Sequence, residues 1–208
     1  MRPTRPLDYV HPAPSNRVGS CARTKLSKPG SAAREGSIGA VLVALALALV
    51  GCSGNGRSFD GNVFREGTQI AFRVPEPPPT WRKVSVSHAS LSFHDDVAGA
   101  SILTNAQCKK ADEDTPLGAL TNHLLIGTTE REQTSQTVEP FDGREVMHTK
   151  VVAKLDGVPL AFDIFVLKKD GCIYDFVYVV PPDYAAVGQP PFEAWVRGFR
   201  TLPGSGAL

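Results

Sequence analysis

Three Asp-Gly pairs, Asp142-Gly143, Asp156-Gly157 and Asp170-Gly171, stand 14 residues apart. Asp-Gly suits the two-residue type I′ turn, which needs positive φ at both central positions. The segments they separate, REVMHTKVVAKL, VPLAFDIFVLKK and CIYDFVYVV, are rich in β-branched and aromatic residues. That combination confines this half of the chain to an antiparallel meander, with 130–141 feeding it as a further strand. Equal spacing also suits a repeat protein, but the segments share only their turns.

Two-residue loops set the register. Leu155 then faces Val158, and Lys169 faces Cys172. Lys150, Asp163 and Tyr178 fall in one cross-strand row, with His148, Phe165 and Phe176 beside it. The opposite face carries Met147, Val151, Phe162, Ile164, Val177 and Val179. Both faces are largely apolar, so both call for a cover.

The covers lie on either side in the sequence. Thr115 or Asp114 can cap a helix with Pro116 at its first position, and Leu117, Leu120, Thr121 and Leu124 share its inner face. Gly127 closes it. Near the C-terminus, Phe192, Trp195, Val196 and Phe199 form one apolar helical stripe, opened by Pro190-Pro191 and stopped near Pro203-Gly204. Ahead of the first helix, Ile70, Phe72 and Val74 alternate as a strand, broken by Pro75-Glu76-Pro77-Pro78-Pro79. Short strands follow around 81–86, 90–94 and 100–104, with Asp95–Gly99 as a turn. The expected domain is α+β, a central antiparallel sheet with helices packed on its faces, over residues 68–203 and followed by a short tail, 204–208.

The first 51 residues read differently. From Ile38 to Val50 no side chain is polar. That run is too short to cross a membrane, which takes about 20 apolar residues, but it suits the h-region of a secretory signal, preceded by Arg23, Lys25, Lys28 and Arg34. It ends in Leu49-Val50-Gly51-Cys52, which resembles the lipobox of bacterial lipoproteins. The resemblance implies cleavage before Cys52 and acylation of that residue, which anchors the protein to a membrane. Stable anchoring takes more than one acyl chain. The 37 residues ahead of the h-region exceed an ordinary n-region, and a downstream start would give the same mature chain. Residues 52–67 are expected to form a flexible tether. Ser53 lacks the Asp that marks inner-membrane retention in enteric bacteria, which favours the outer membrane facing the periplasm.

Without residues 1–51 the chain keeps 157 residues, enough for one domain with a core. It carries 15 Lys and Arg against 19 Asp and Glu, so it has no basic field for nucleic acid. Of four cysteines, Cys108 and Cys172 remain as a pair in an oxidising compartment, where a disulfide is the expected state.

Strand FRVP with a Trp close behind it, then a helix, a long meander and a final helix ending VRGFR, resemble the PsbP-like fold. That group includes the small DcrB-like bacterial envelope lipoproteins. The resemblance covers roughly 68–202. It implies an accessory role, docking to or stabilising a larger assembly, and no catalytic set to carry over.

Catalytic motifs point the same way. The chain has no GxSxG, HExxH, P-loop or dinucleotide-binding glycine run. His88, His94, Asp95 and Asp96 are the best metal candidates, although a solvated turn between surface histidines accounts for them, and no metal or cofactor is expected. An acid inside PLAFDIFVL must be paired if buried. Lys150 supplies the charge opposite Asp163, and with His148, Tyr174 and Tyr178 this row could floor a pocket or docking surface. Two functions follow. The first is a non-catalytic, lipid-anchored accessory protein with an envelope protein partner. The second is a binder of a small or apolar ligand, or a hydrolase, working through a sheet-face cleft.

Overall fold

The computed structural model describes residues 56–108 and 114–203. Cys52, the expected lipidation site, and the whole leader 1–51 lie outside the described residues.

The meander forms with the expected register. Strands β7 (Thr128–Phe141), β8 (Arg144–Leu155), β9 (Val158–Lys169) and β10 (Cys172–Val180) pair in order. All three Asp-Gly turns put both residues at positive φ, as in Asp142 at 46° and Gly143 at 75°. Leu155 opposes Val158, Lys150 opposes Asp163, and Asp163 opposes Tyr178. Three shorter strands, β4 (Trp81–Lys83), β5 (Leu91–Asp95) and β6 (Ala100–Gln107), extend the sheet to seven in the order β4-β5-β6-β10-β9-β8-β7. The fold is therefore α+β and largely antiparallel. Cys108 and Cys172 form the disulfide that closes the β6–β10 ladder just beyond Gln107 and Ile173.

Each face has its cover. Helix α1 (Leu117–Leu124) packs Leu117, Leu120 and Leu124 against Val151, Phe162, Ile164, Val166 and Val177. Helix α2 (Ala185–Arg197) lays Phe192, Trp195 and Val196 over the other face, against Phe165, Phe176 and Tyr178.

The structure departs from expectation at three places. Residues 52–67 are not a tether throughout. Arg57–Asp60 (β1) and Val63–Glu66 (β2) form a hairpin that pairs with β3 (Ile70–Arg73) and a final strand β11 (Arg200–Thr201) in a second, four-stranded sheet. Gly61 and Asn62, at φ 52° and 62°, make its turn. Phe64 is buried against Phe72, which repays a strand at this site. Helix α2 begins at Ala185, so Pro190 and Pro191 lie inside it rather than at its start. Each proline removes a helix hydrogen bond, and the buried Phe192, Trp195 and Val196 offset the loss. Finally, no side chain caps α1. Pro116 holds the cap position in extended geometry, and the Thr115 carbonyl instead accepts from Lys168 Nζ at 3.1 Å.

Candidate functional site

Alternation along β8 and β9 carries His148, Lys150 and Asp163 to the face beneath α2, and helix spacing brings Glu193 down onto them. Asp163 is wholly buried. His148 Nε2 donates to its Oδ1 at 2.6 Å, and Lys150 Nζ stands 3.7 Å from its Oδ2 as an ion pair. Lys150 also donates to Glu193 Oε1 at 2.7 Å. On the other side, His148 Nδ1 lies 3.6 Å from Glu139 Oε1, and Arg197 Nη2 bonds both Glu139 oxygens at 3.1 Å. The result is a continuous chain of charged and polar contacts, Arg197–Glu139–His148–Asp163–Lys150–Glu193, that links β7, β8 and β9 to α2.

Packing fixes these groups. The His148 ring stacks on Phe165 at 3.8 Å and 14°. Tyr178 stacks on Phe192 at 5.3 Å. Its hydroxyl presses on α2 at Gly188, where an added Cβ would fall 2.1 Å from Oη. Burial, with the charges of Asp95 and Asp163, pushes the Tyr178 phenol up to about 12. At Lys150, burial opposes the ammonium, yet the carboxylates of Glu193 and Asp163 outweigh it and hold its pKa above the ordinary value.

The row expected from the sequence is thus assembled, but not as a pocket floor. Asp163, Tyr174 and Tyr178 are inaccessible, because α2 and the second sheet cover the face that carries them. Only Lys150 and His148 keep partial exposure, 30% and 12% of their side chains. Buried charge of this kind persists when it is paired, and here each charge finds its answer inside the chain. His148, Asp163 and Glu193 bring donor atoms within 4.8 Å of one another, close enough to share an ion. The Lys150 ammonium already occupies that gap, so a metal would have to displace a cation bonded at 2.7 Å.

The other metal candidates serve local structure. Asp95 Oδ1 accepts from Val97 N and Ala98 N, which closes the β5–β6 turn. His94 Nε2 lies 3.8 Å from Asp96 Oδ1, and His88 is exposed in the β4–β5 loop at φ 69°. Glu139, Glu193 and Arg197 went unforeseen. Their place depends on how α2 docks, and nothing in their spacing gives it away.

The class of protein is then a sheet-and-helix α+β domain with a network of paired charged and polar side chains closed under α2. No family model and no curated protein matches the chain. Among solved structures it is similar to LpqN, described as involved in cell envelope biogenesis of Mycobacterium tuberculosis. The TM-score is 0.50 at 11% identity, over 71% of this chain and 90% of that one. It also aligns with cyanobacterial PsbP (CyanoP) from Synechocystis sp. PCC 6803, at TM-score 0.48 and 14% identity, over 74% and 99% of the two chains. At such identities the likeness to LpqN speaks to the fold alone, and the weaker alignment adds nothing to it.

Proposed function

We propose that this protein is a non-catalytic accessory protein of the bacterial cell envelope, anchored through an acylated Cys52 to the outer membrane and docked to a protein partner. The observation that carries this reading is the polarity of the large sheet. Its register puts the β8–β9 turn, the β5–β6 turn, the start of β7 and the end of β10 at one end. Six of the eight exposed large hydrophobic side chains among the described residues belong to segments at that end: Val97, Ile126, Leu155, Val158, Tyr184 and Val187. The chain enters at the opposite end, where Arg57 reaches the Ala89 carbonyl at 3.4 Å. A lipid on Cys52, five residues before Arg57, would hold that entry end near the membrane and present the apolar end away from it. A concentration of exposed apolar side chains at one end of a sheet supports contact with another protein there.

Site-specific photo-crosslinking in cells tests this. A photoreactive side chain at Val158 is expected to capture one envelope protein, whereas one at Val86, on the entry end, is not. The Cys52→Ala chain should lose the adduct, because it is no longer held at the surface where the partner sits. Equal capture from both positions, or none from Val158, would refute the proposal.

A further inference from the structure

Asp175 lies on the sheet face opposite the charge network, under α1, and is 6% exposed. Its Oδ1 accepts from Asn105 Nδ2 at 2.8 Å, and no Lys or Arg among the described residues closes on it. It faces a cavity of about 340 Å³ between α1 and the sheet. Leu120 and Leu124 of α1 and Val166 and Ile173 of the sheet give that cavity apolar walls, while His123 and Gln107 line it with polar groups. A buried carboxylate with no counter-charge is costly. Elsewhere this protein answers the same problem from within, with Lys150 at Asp163. Here it leaves space instead.

We propose that this cavity is a binding site for a small amphiphilic amine, whose ammonium pairs with the Asp175 carboxylate and whose aliphatic body packs between α1 and the sheet. The volume is within the range of small-molecule sites, which combine apolar walls with a few placed polar groups. Asn105 orients the carboxylate by holding one oxygen and leaves the other to the ligand. Among the described residues, the other titratable group lining the space is His123 of α1; Lys168 of β9 sends its ammonium to the Thr115 carbonyl. Burial raises the Asp175 pKa to about 6, so the carboxylate is charged at neutral pH and lost as a partner below it. The site is independent of the docking end.

The test is calorimetric titration of the full chain carrying Cys52→Ala, so that no acyl chain competes. The probes are n-octylamine, its neutral isostere octan-1-ol and the anion octanoate. Octylamine should bind once per chain, at least tenfold tighter than octanol, with octanoate weakest. Asp175→Asn should bring octylamine down to the octanol level and leave octanol unchanged. Lowering the pH from 7.5 to 5 should weaken octylamine about tenfold, since a group titrating near 6 is then mostly protonated. The His123→Gln chain should keep that pH dependence. Ala119→Phe, at the rim of the cavity, should abolish binding of both probes, and it decides the matter if Asp175→Asn fails to fold. Octylamine binding unaltered by either Asp175→Asn or Ala119→Phe would overturn the proposal. So would octanol binding as tightly as the amine, or a pH dependence that disappears with His123.

Discussion

Gly188 gives the sharpest prediction for the helix-to-sheet contact. In an exposed helix interior, Gly→Ala stabilises by about 1 kcal/mol. At Gly188 the new methyl would lie 2.1 Å from Tyr178 Oη and 2.9 Å from its Cζ. The ring cannot swing aside, because Tyr178 is fully buried and stacked on Phe192. Helix α2 must lift instead, which strains the Lys150–Glu193 bond and the bond from Trp195 Nε1 to the Pro75 carbonyl. Overpacking of this sort costs about 1–3 kcal/mol, so Gly188→Ala should lose up to about 2 kcal/mol net once the propensity gain is counted. Tyr178→Phe alone should be nearly neutral, because Oη has no hydrogen-bond partner among the described residues and its removal breaks none. Combined, the two changes should recover part of the loss, because the 2.1 Å contact with Oη goes while Cζ stays at 2.9 Å, a coupling of about 1 kcal/mol. Urea unfolding followed by circular dichroism reads all four corners of the cycle. A Gly188→Ala protein more stable than the parent, or strictly additive effects, would refute the idea that the hydroxyl and the glycine are matched.

Three further expectations follow from the same contacts. Replacing Cys108 and Cys172 together by Ser opens a bridge between residues 64 apart, which by chain entropy should cost about 4 kcal/mol in urea melts; a loss under about 1 kcal/mol would mean the unfolded chain is already constrained. Asp175 has a folded pKa of about 6, above its unfolded value, so the native state binds its proton more tightly and stability falls as pH rises from about 4 through 6. Asp175→Asn should remove that fall and gain up to about 3 kcal/mol at pH 7; melts at pH 4.5 and 7 that show no difference in slope would count against it. At the charge network, Lys150→Met leaves the buried Asp163 carboxylate to His148 alone and should cost about 1–2 kcal/mol, whereas Glu193→Gln, at a partly exposed carboxylate, should cost under about 1 kcal/mol. The reverse ranking in urea melts would place the weight of the network on the helix.

The meander could be read from sequence because its turns leave little choice. Asp-Gly in a two-residue loop fixes register, and register alone brings Lys150, Asp163 and Tyr178 into one row. The β1–β2 hairpin was legible too, in the Gly61-Asn62 pair between Phe59 and Phe64, but four-residue strands rich in charge look like linker. The start of α2 was hidden by Pro190-Pro191, which belong by local rule to a helix opening and here survive inside one because the aromatic stripe holds the helix down. Asp175 gave the same signal as Asp163, an acid within an apolar strand, CIYDFVYVV, and the same reasoning would have found it. What sequence could not supply is the docking of α2, and with it Glu139, Glu193 and Arg197.

The two buried acids show how one sheet can put the same residue type to different uses. Asp163 and Asp175 sit on neighbouring strands and opposite faces. Under α2 the helix carries Glu193 and Arg197, and the strands beside Asp163 carry His148 and Lys150, so the buried acid is partnered from within and the face is closed. Under α1 the helix spans only 117–124 and leaves the carboxylate facing a cavity with a single amide on it. A row of polar residues in the sequence therefore points to the wrong face for binding, since paired charges are what a core tolerates. The acid with no cationic partner among the described residues is the one with binding capacity left over, and on the proposed reading the face under the shorter helix is where a ligand reaches it.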